Sequence, residues 1–107
     1  SHSDESLEYL GLKNRINTVK NLATLAEKCS IDGIVCSPSD ISTVKDSVSN
    51  LIYVTPGIRL NNDNDDHAKI YTPKKALSLG SDYLVIGRPI TEAKEPMDVV
   101  KKIISTI

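Results

Sequence analysis

The sequence predicts an α/β fold in which parallel strands alternate with helices, and three observations predict it. Three short apolar runs, Gly33–Cys36, Leu51–Val54 and Tyr83–Ile86, are continuous rather than alternating, the pattern of strands buried on both faces of a parallel sheet. Helical periodicity and helix-start signals fill the intervals, so the order reads helix, strand, helix, strand, long loop, helix, strand, helix: a βα repeat with right-handed crossovers. The apolar residues are mostly aliphatic, with four Tyr but no Phe and no Trp, which suits helices packed on parallel strands.

Each element has its own signal. Between Asn17 and Cys29, the residues Val19, Leu22, Ala23 and Ala26 recur at i, i+3, i+4 and i+7, one face of a helix. After the first strand, Ser37-Pro38-Ser39-Asp40 supplies a capping hydroxyl, a proline at the first helical position and an acid in the first turn. Thr72-Pro73 repeats the device and opens a helix to Leu79 that stops at Gly80, the residue type that best tolerates the left-handed conformation beyond a helix end. Glu95-Pro96 opens a terminal helix with Met97, Val100, Ile103 and Ile104 expected on one side. The connection from Thr55 to Tyr71 is the exception to short loops. Segments longer than about 12–15 residues in a compact domain are usually functional or disordered, and Asn-Asn-Asp-Asn-Asp-Asp-His within this one reads as solvated.

Composition excludes several classes. The 107 residues are expected to form a single domain, 1–107. Lys and Arg number 13 against 14 Asp and Glu, for a net charge of -1, so no basic field exists to hold nucleic acid or anionic lipid. No apolar run approaches the ~18 residues of a membrane span, and the polar start Ser-His-Ser-Asp-Glu is unlike a secretory signal. Cys29 and Cys36 stand in apolar surroundings without metal-ligand spacing, which reads as reduced thiols in a cytoplasmic protein.

Two strand ends carry the chemistry. Val54-Thr55-Pro56-Gly57-Ile58-Arg59 runs from a strand into a Pro-Gly turn with an arginine just beyond. Pro fixes one dihedral and Gly admits a positive one, so amides there can form an anion nest; an ordinary turn is the plain alternative. Val85-Ile86-Gly87-Arg88-Pro89-Ile90 ends the next strand in the same manner, with Gly allowing close approach and Arg offering a planar fork of donors. Each is weak alone. Together they fall at the C-terminal ends of consecutive strands, the edge where βα folds bind ligands and where barrels often hold phosphate. The acidic loop does not fit a calcium hand, since counting from Asp63 the sixth and twelfth positions are Ala68 and Lys74 rather than Gly and Glu. It reads as a hydrated lid, or as one from which His67 or Asp66 reaches a ligand. His2, Cys36 and the Lys pairs at 74–75 and 101–102 read as surface or packing residues. No Gly-x-Gly-x-x-Gly, Gly-Lys-Ser/Thr or Cys-x-x-Cys is present, and no metal site or cofactor is expected.

The run Leu-Ile-Tyr-Val-Thr-Pro-Gly-Ile-Arg, the loop ending Asp-Asp-His, and Ala-Leu-Ser-Leu-Gly-Ser-Asp-Tyr-Leu-Val-Ile-Gly-Arg-Pro-Ile-Thr together resemble bacterial orotidine 5′-phosphate decarboxylases. Lys-Cys-Ser-Ile-Asp-Gly-Ile-Val-Cys-Ser is similar to that family's sixth strand and its preceding helix. The resemblance implies the C-terminal half of a (β/α)8 barrel, carrying strands 7 and 8. The family converts orotidine 5′-monophosphate to UMP and CO2 without a cofactor, as a dimer. It implies that Arg59, Gly87 and Arg88 bind the substrate phosphate, and that His67 stands where the family has a Gln bridging phosphate and pyrimidine. The family's Asp-x-Lys-x-x-Asp strand, whose Lys protonates the carbon losing CO2, has no counterpart: no Asp here lies two residues before a Lys. No catalytic residue is therefore assigned. Since a whole barrel needs ~250 residues, a missing N-terminal half-barrel or a homo-oligomer is the expected partner. The alternatives are a non-catalytic remnant that oligomerises or binds phosphate weakly, and a sugar-phosphate decarboxylase or epimerase relative.

Overall fold

A computed structural model describes residues 3–12, 14–60 and 70–107. Its centre is a parallel three-stranded sheet in the order β1-β2-β3, with β1 at Gly33–Val35, β2 at Ile52–Thr55 and β3 at Tyr83–Leu84. Gly33, Ile34 and Val35 pair with Ile52, Tyr53 and Val54, and Val54 and Thr55 pair with Tyr83 and Leu84. The ladder outruns the last strand, because the Val85 N–H donates to the Thr55 carbonyl at 2.9 Å. All three strands run parallel, as the continuous apolar runs require.

The helices start where the sequence supplies caps. Helix α2 spans Arg15–Lys28, two residues ahead of its apolar periodicity, because the Asn14 side chain accepts from the Asn17 N–H at 3.0 Å. A short helix not anticipated above, α1 (Asp4–Tyr9), precedes it under a Ser3 cap. Ser37 and Pro38 open a 3-10 turn, Pro38–Asp40, that runs into α3 (Ile41–Lys45). The Thr72 hydroxyl caps α4 (Pro73–Ser78), which ends on Gly80 at φ +109°. There the N–H groups of Gly80 and Ser81 return to the carbonyls of Leu77 and Ala76, a Schellman closure. Two further helices, α5 (Arg88–Thr91) and α6 (Pro96–Thr106), complete the chain.

Three expectations are corrected. The strands are not buried on both faces: α2 and α3 cover one side, where Ala23, Ile41, Val44, Val48, Leu51 and Tyr53 form the core with Ile34 and Cys36 against it. On the other side Val35 is 71% and Tyr83 63% exposed, because no described element covers it. Cys29 is exposed rather than in an apolar setting, since it caps the outer end of α2. The terminal helix buries only Ile103 of its expected stripe, leaving Met97 and Ile104 more than 60% exposed.

Candidate functional site

The site starts at the tip of β2. Thr55 is fully buried, its hydroxyl 2.7 Å from that of Ser81, and the Asp82 carboxylate accepts from the Tyr53 N–H at 2.8 Å. These bonds tie the end of β2 to the segment entering β3. The chain then turns at Pro56-Gly57, where Gly57 takes φ +76°, a conformation costly for any residue with a Cβ. Ile58 is 1% exposed and bridges Tyr71 in parallel, while the Arg59 N–H donates to the Tyr71 carbonyl at 3.0 Å. A buried Ile58 and a pinned amide leave the Arg59 side chain outside. The anion-nest expectation is narrowed accordingly, because the Arg59 amide is used internally.

At the tip of β3, Gly87 opens α5, and its carbonyl accepts from the N–H groups of Ile90 and Thr91 at 2.9 and 3.0 Å. A Cβ built on Gly87 meets nothing within 4 Å, so this stretch of backbone faces open space. Arg88 follows, exposed at the first position of α5. The two arginines come together: Arg59, Arg88, Pro89 and Glu92 line one concavity of about 320 Å³. Among the described residues neither guanidinium has a carboxylate within ion-pair distance, and Arg59 makes one long contact of 3.4 Å to the Ile58 carbonyl. Two guanidinium forks with no ion pair among the described residues, beside an open glycine backbone, can hold an anion with several acceptor oxygens. Glu92 in the same wall opposes that charge.

His2, Asp63, Asp65, Asp66 and His67 lie outside the described residues. Among the described residues no group of three His, Cys, Asp or Glu could hold a metal ion, and no helix is long and apolar enough to cross a membrane. Cys36 is half-buried, and burial pushes its thiol up to about 11, against a role as nucleophile. Burial likewise raises the Tyr53 phenol.

Sequence reasoning missed one polar feature near the strand tips. Arg15 forms a bidentate pair with buried Asp40 at 2.8 and 2.5 Å, locking the start of α2 to the turn after β1. The fork of bonds to Asp40 raises the Arg15 pKa further above its already high ordinary value. A second cavity of about 200 Å³ lies between α4 and α6, walled by Pro73, Ile103, Lys74 and Lys102. It too had no signal, since it depends on how two distant helices meet.

A parallel three-stranded sheet with alternating helices makes this an α/β chain, and the solved structures it matches are (β/α) barrels. It belongs to the Orotidine 5'-phosphate decarboxylase / HUMPS family, whose profile matches residues 1–103. It is 41% identical over 110 residues to an orotidine 5'-phosphate decarboxylase of Dichelobacter nodosus, covering 100% of this chain and 48% of that protein. A counterpart in Dictyoglomus thermophilum is 47% identical over 88 residues, 80% of this chain and 36% of that protein. Among solved structures, the orotidine 5'-phosphate decarboxylase of Lactobacillus acidophilus matches with a TM-score of 0.78 and 32% identity, over 96% of this chain and 43% of that one. The chain thus spans about half the length of the curated relatives it matches.

Proposed function

We propose that this chain is the phosphate-gripping part of an orotidine 5′-monophosphate decarboxylase, the enzyme that yields UMP and CO2. Arg59, Arg88 and the backbone at Gly87 hold the nucleotide phosphate, and His67 is the lid contact. The observation that supports this most is the shared concavity of Arg59 and Arg88 at the ends of adjacent parallel strands. Decarboxylation itself needs an Asp-x-Lys-x-x-Asp segment, which this sequence does not contain. The chemistry therefore needs that segment from outside these 107 residues, and these residues by themselves are inactive. The two cysteines are free, in keeping with a cytoplasmic setting. In the assembled enzyme the phosphate grip, remote from the reacting carbon, supplies binding energy for closure over the base.

Calorimetric titration with UMP tests the reading. A charge-assisted hydrogen bond contributes about 1.5–3 kcal/mol, so Arg88→Ala weakens UMP binding roughly ten- to hundred-fold at ~1.4 kcal/mol per decade. Inorganic phosphate competes, and pentose phosphates bind no better than UMP. No UMP binding at millimolar ligand, or an Arg59→Ala/Arg88→Ala chain that binds as the parent does, would refute the assignment and favour a non-catalytic remnant.

A further inference from the structure

The cavity of about 200 Å³ between α4 and α6 differs in chemistry from the arginine concavity. Leu60, Pro73 and Ile103 form the apolar part of its wall, with Pro73 buried and Ile103 only 7% exposed. Two hydroxyls also line it, and both are engaged: Thr72 accepts from the Lys75 N–H at 3.3 Å, and Thr106 donates to the Ile103 carbonyl at 2.8 Å. The remaining side-chain polar groups of the wall are two ammoniums, Lys74 from α4 and Lys102 from α6. No carboxylate of a described residue lines this cavity, whereas Glu92 lines the other. Asp98 stands one turn before Lys102 on α6, where an i, i+4 pair could form, yet the only ion pair among the described residues is Arg15–Asp40. Lys75 lies over the Tyr71 ring at 5.7 Å; its neighbour Lys74 has no such partner among the described residues.

We infer that this cavity binds a small organic anion with one carboxylate and a compact apolar body the size of one ring. A cavity of about 150 Å³ holds a benzene molecule, so about 200 Å³ accommodates a ring together with its carboxylate. The apolar wall takes the ring out of water, and the two ammoniums meet the carboxylate through charge-assisted hydrogen bonds. Lysine stems are apolar and flexible while their heads stay solvated, so Lys74 and Lys102 can close on the anion from opposite walls without giving up water beforehand. Inorganic phosphate suits the cavity poorly. It has no apolar part to bury, and the planar forks of Arg59 and Arg88 match its several oxygens better. The inference does not rest on the phosphate reading, because the two concavities share no lining residue.

The test is titration of the full nitrogen-15-labelled chain with benzoate, read by amide chemical shifts. The expected result is saturable shifts at Leu60, Lys74, Ile103 and Thr106 with a Kd of about 1 mM, the scale of a ligand of about nine non-hydrogen atoms. Each ammonium facing a carboxylate through a solvent-like dielectric is worth about five-fold in affinity. Lys74→Ala/Lys102→Ala therefore weakens benzoate roughly ten- to thirty-fold, while Lys94→Ala/Lys101→Ala, with the same change in net charge, leaves it unchanged. These lysines are exposed, so circular dichroism of both variants stays that of the parent. Benzyl alcohol, a neutral ring of similar size, binds at least about ten-fold more weakly than benzoate. No saturable shift at the cavity residues, equal binding of benzyl alcohol, an equal loss in both lysine pairs, or shifts confined to Arg59, Gly87 and Arg88 each overturns the inference. Arg59→Ala/Arg88→Ala keeps benzoate binding, so a chain that takes benzoate but not UMP refutes the phosphate reading and leaves this site intact.

Discussion

Removing either side of the Arg15–Asp40 fork should cost this chain a large share of its stability. The two bonds measure 2.8 and 2.5 Å, and the side chains are 33% and 11% exposed. Asp40 is thus nearly withdrawn from water while Arg15 keeps partial solvation. Breaking a fully buried pair costs about 3–5 kcal/mol, because a charge is left without compensation. Discounting for the exposed guanidinium gives about 2–3 kcal/mol for Arg15→Ala. A domain of this size has roughly 5–15 kcal/mol in total. The assay is urea unfolding at fixed protein concentration followed by far-UV circular dichroism, since the chain has no Trp. In the cycle Arg15→Ala, Asp40→Ala and both together, the coupling should reach about 1.5–2.5 kcal/mol, in the range of hydrogen bonds to charged groups. Coupling below about 0.5 kcal/mol, the scale of an exposed surface pair, would show that the fork does not hold α2 to the turn after β1.

Glu92→Gln should tighten phosphate binding roughly three- to five-fold, because one unit charge in this wall acts at about 1 kcal/mol through a solvent-like dielectric; phosphate titration measures it. Gly57→Ala should destabilise by about 1–2 kcal/mol, a purely conformational cost since a Cβ there meets nothing within 4 Å, and urea midpoints report it. Ser30, a non-glycine residue at φ 59°, closes α2 in the position glycine prefers, so Ser30→Gly should stabilise by about 0.5–1 kcal/mol in the same assay. Cys36, with its thiol near 11, should alkylate at pH 8 about two orders of magnitude more slowly than a free thiol of pKa ~8.5, as peptide mapping after iodoacetamide would record. A raised thiol pKa favours the folded state only while the unfolded thiol stays protonated. Stability should therefore decline as pH rises from about 8.5 toward 11, and Cys36→Ala should flatten that decline.

Much of this protein is local, and local physics is legible in sequence. Caps and breakers act within a few residues, so Ser37-Pro38, Thr72-Pro73 and Gly80 marked their helix ends correctly. The apolar runs marked three parallel strands, and the Pro56-Gly57-Ile58-Arg59 and Gly87-Arg88 motifs marked the strand ends. What tertiary structure alone decided depends on which segments meet. Continuous apolar runs showed that the strands have two faces to bury, but not that α2 and α3 cover only one, leaving Val35 and Tyr83 bare. Asp40 reads as a first-turn acid until Arg15, 25 residues away, is folded against it. Thr55 looks like any other threonine until Ser81 comes within 2.7 Å of its hydroxyl. The joint placement of Arg59 and Arg88 was suggested by strand order, but Glu92 in the same wall was not, because a charge acquires its neighbours only when the chain closes in space.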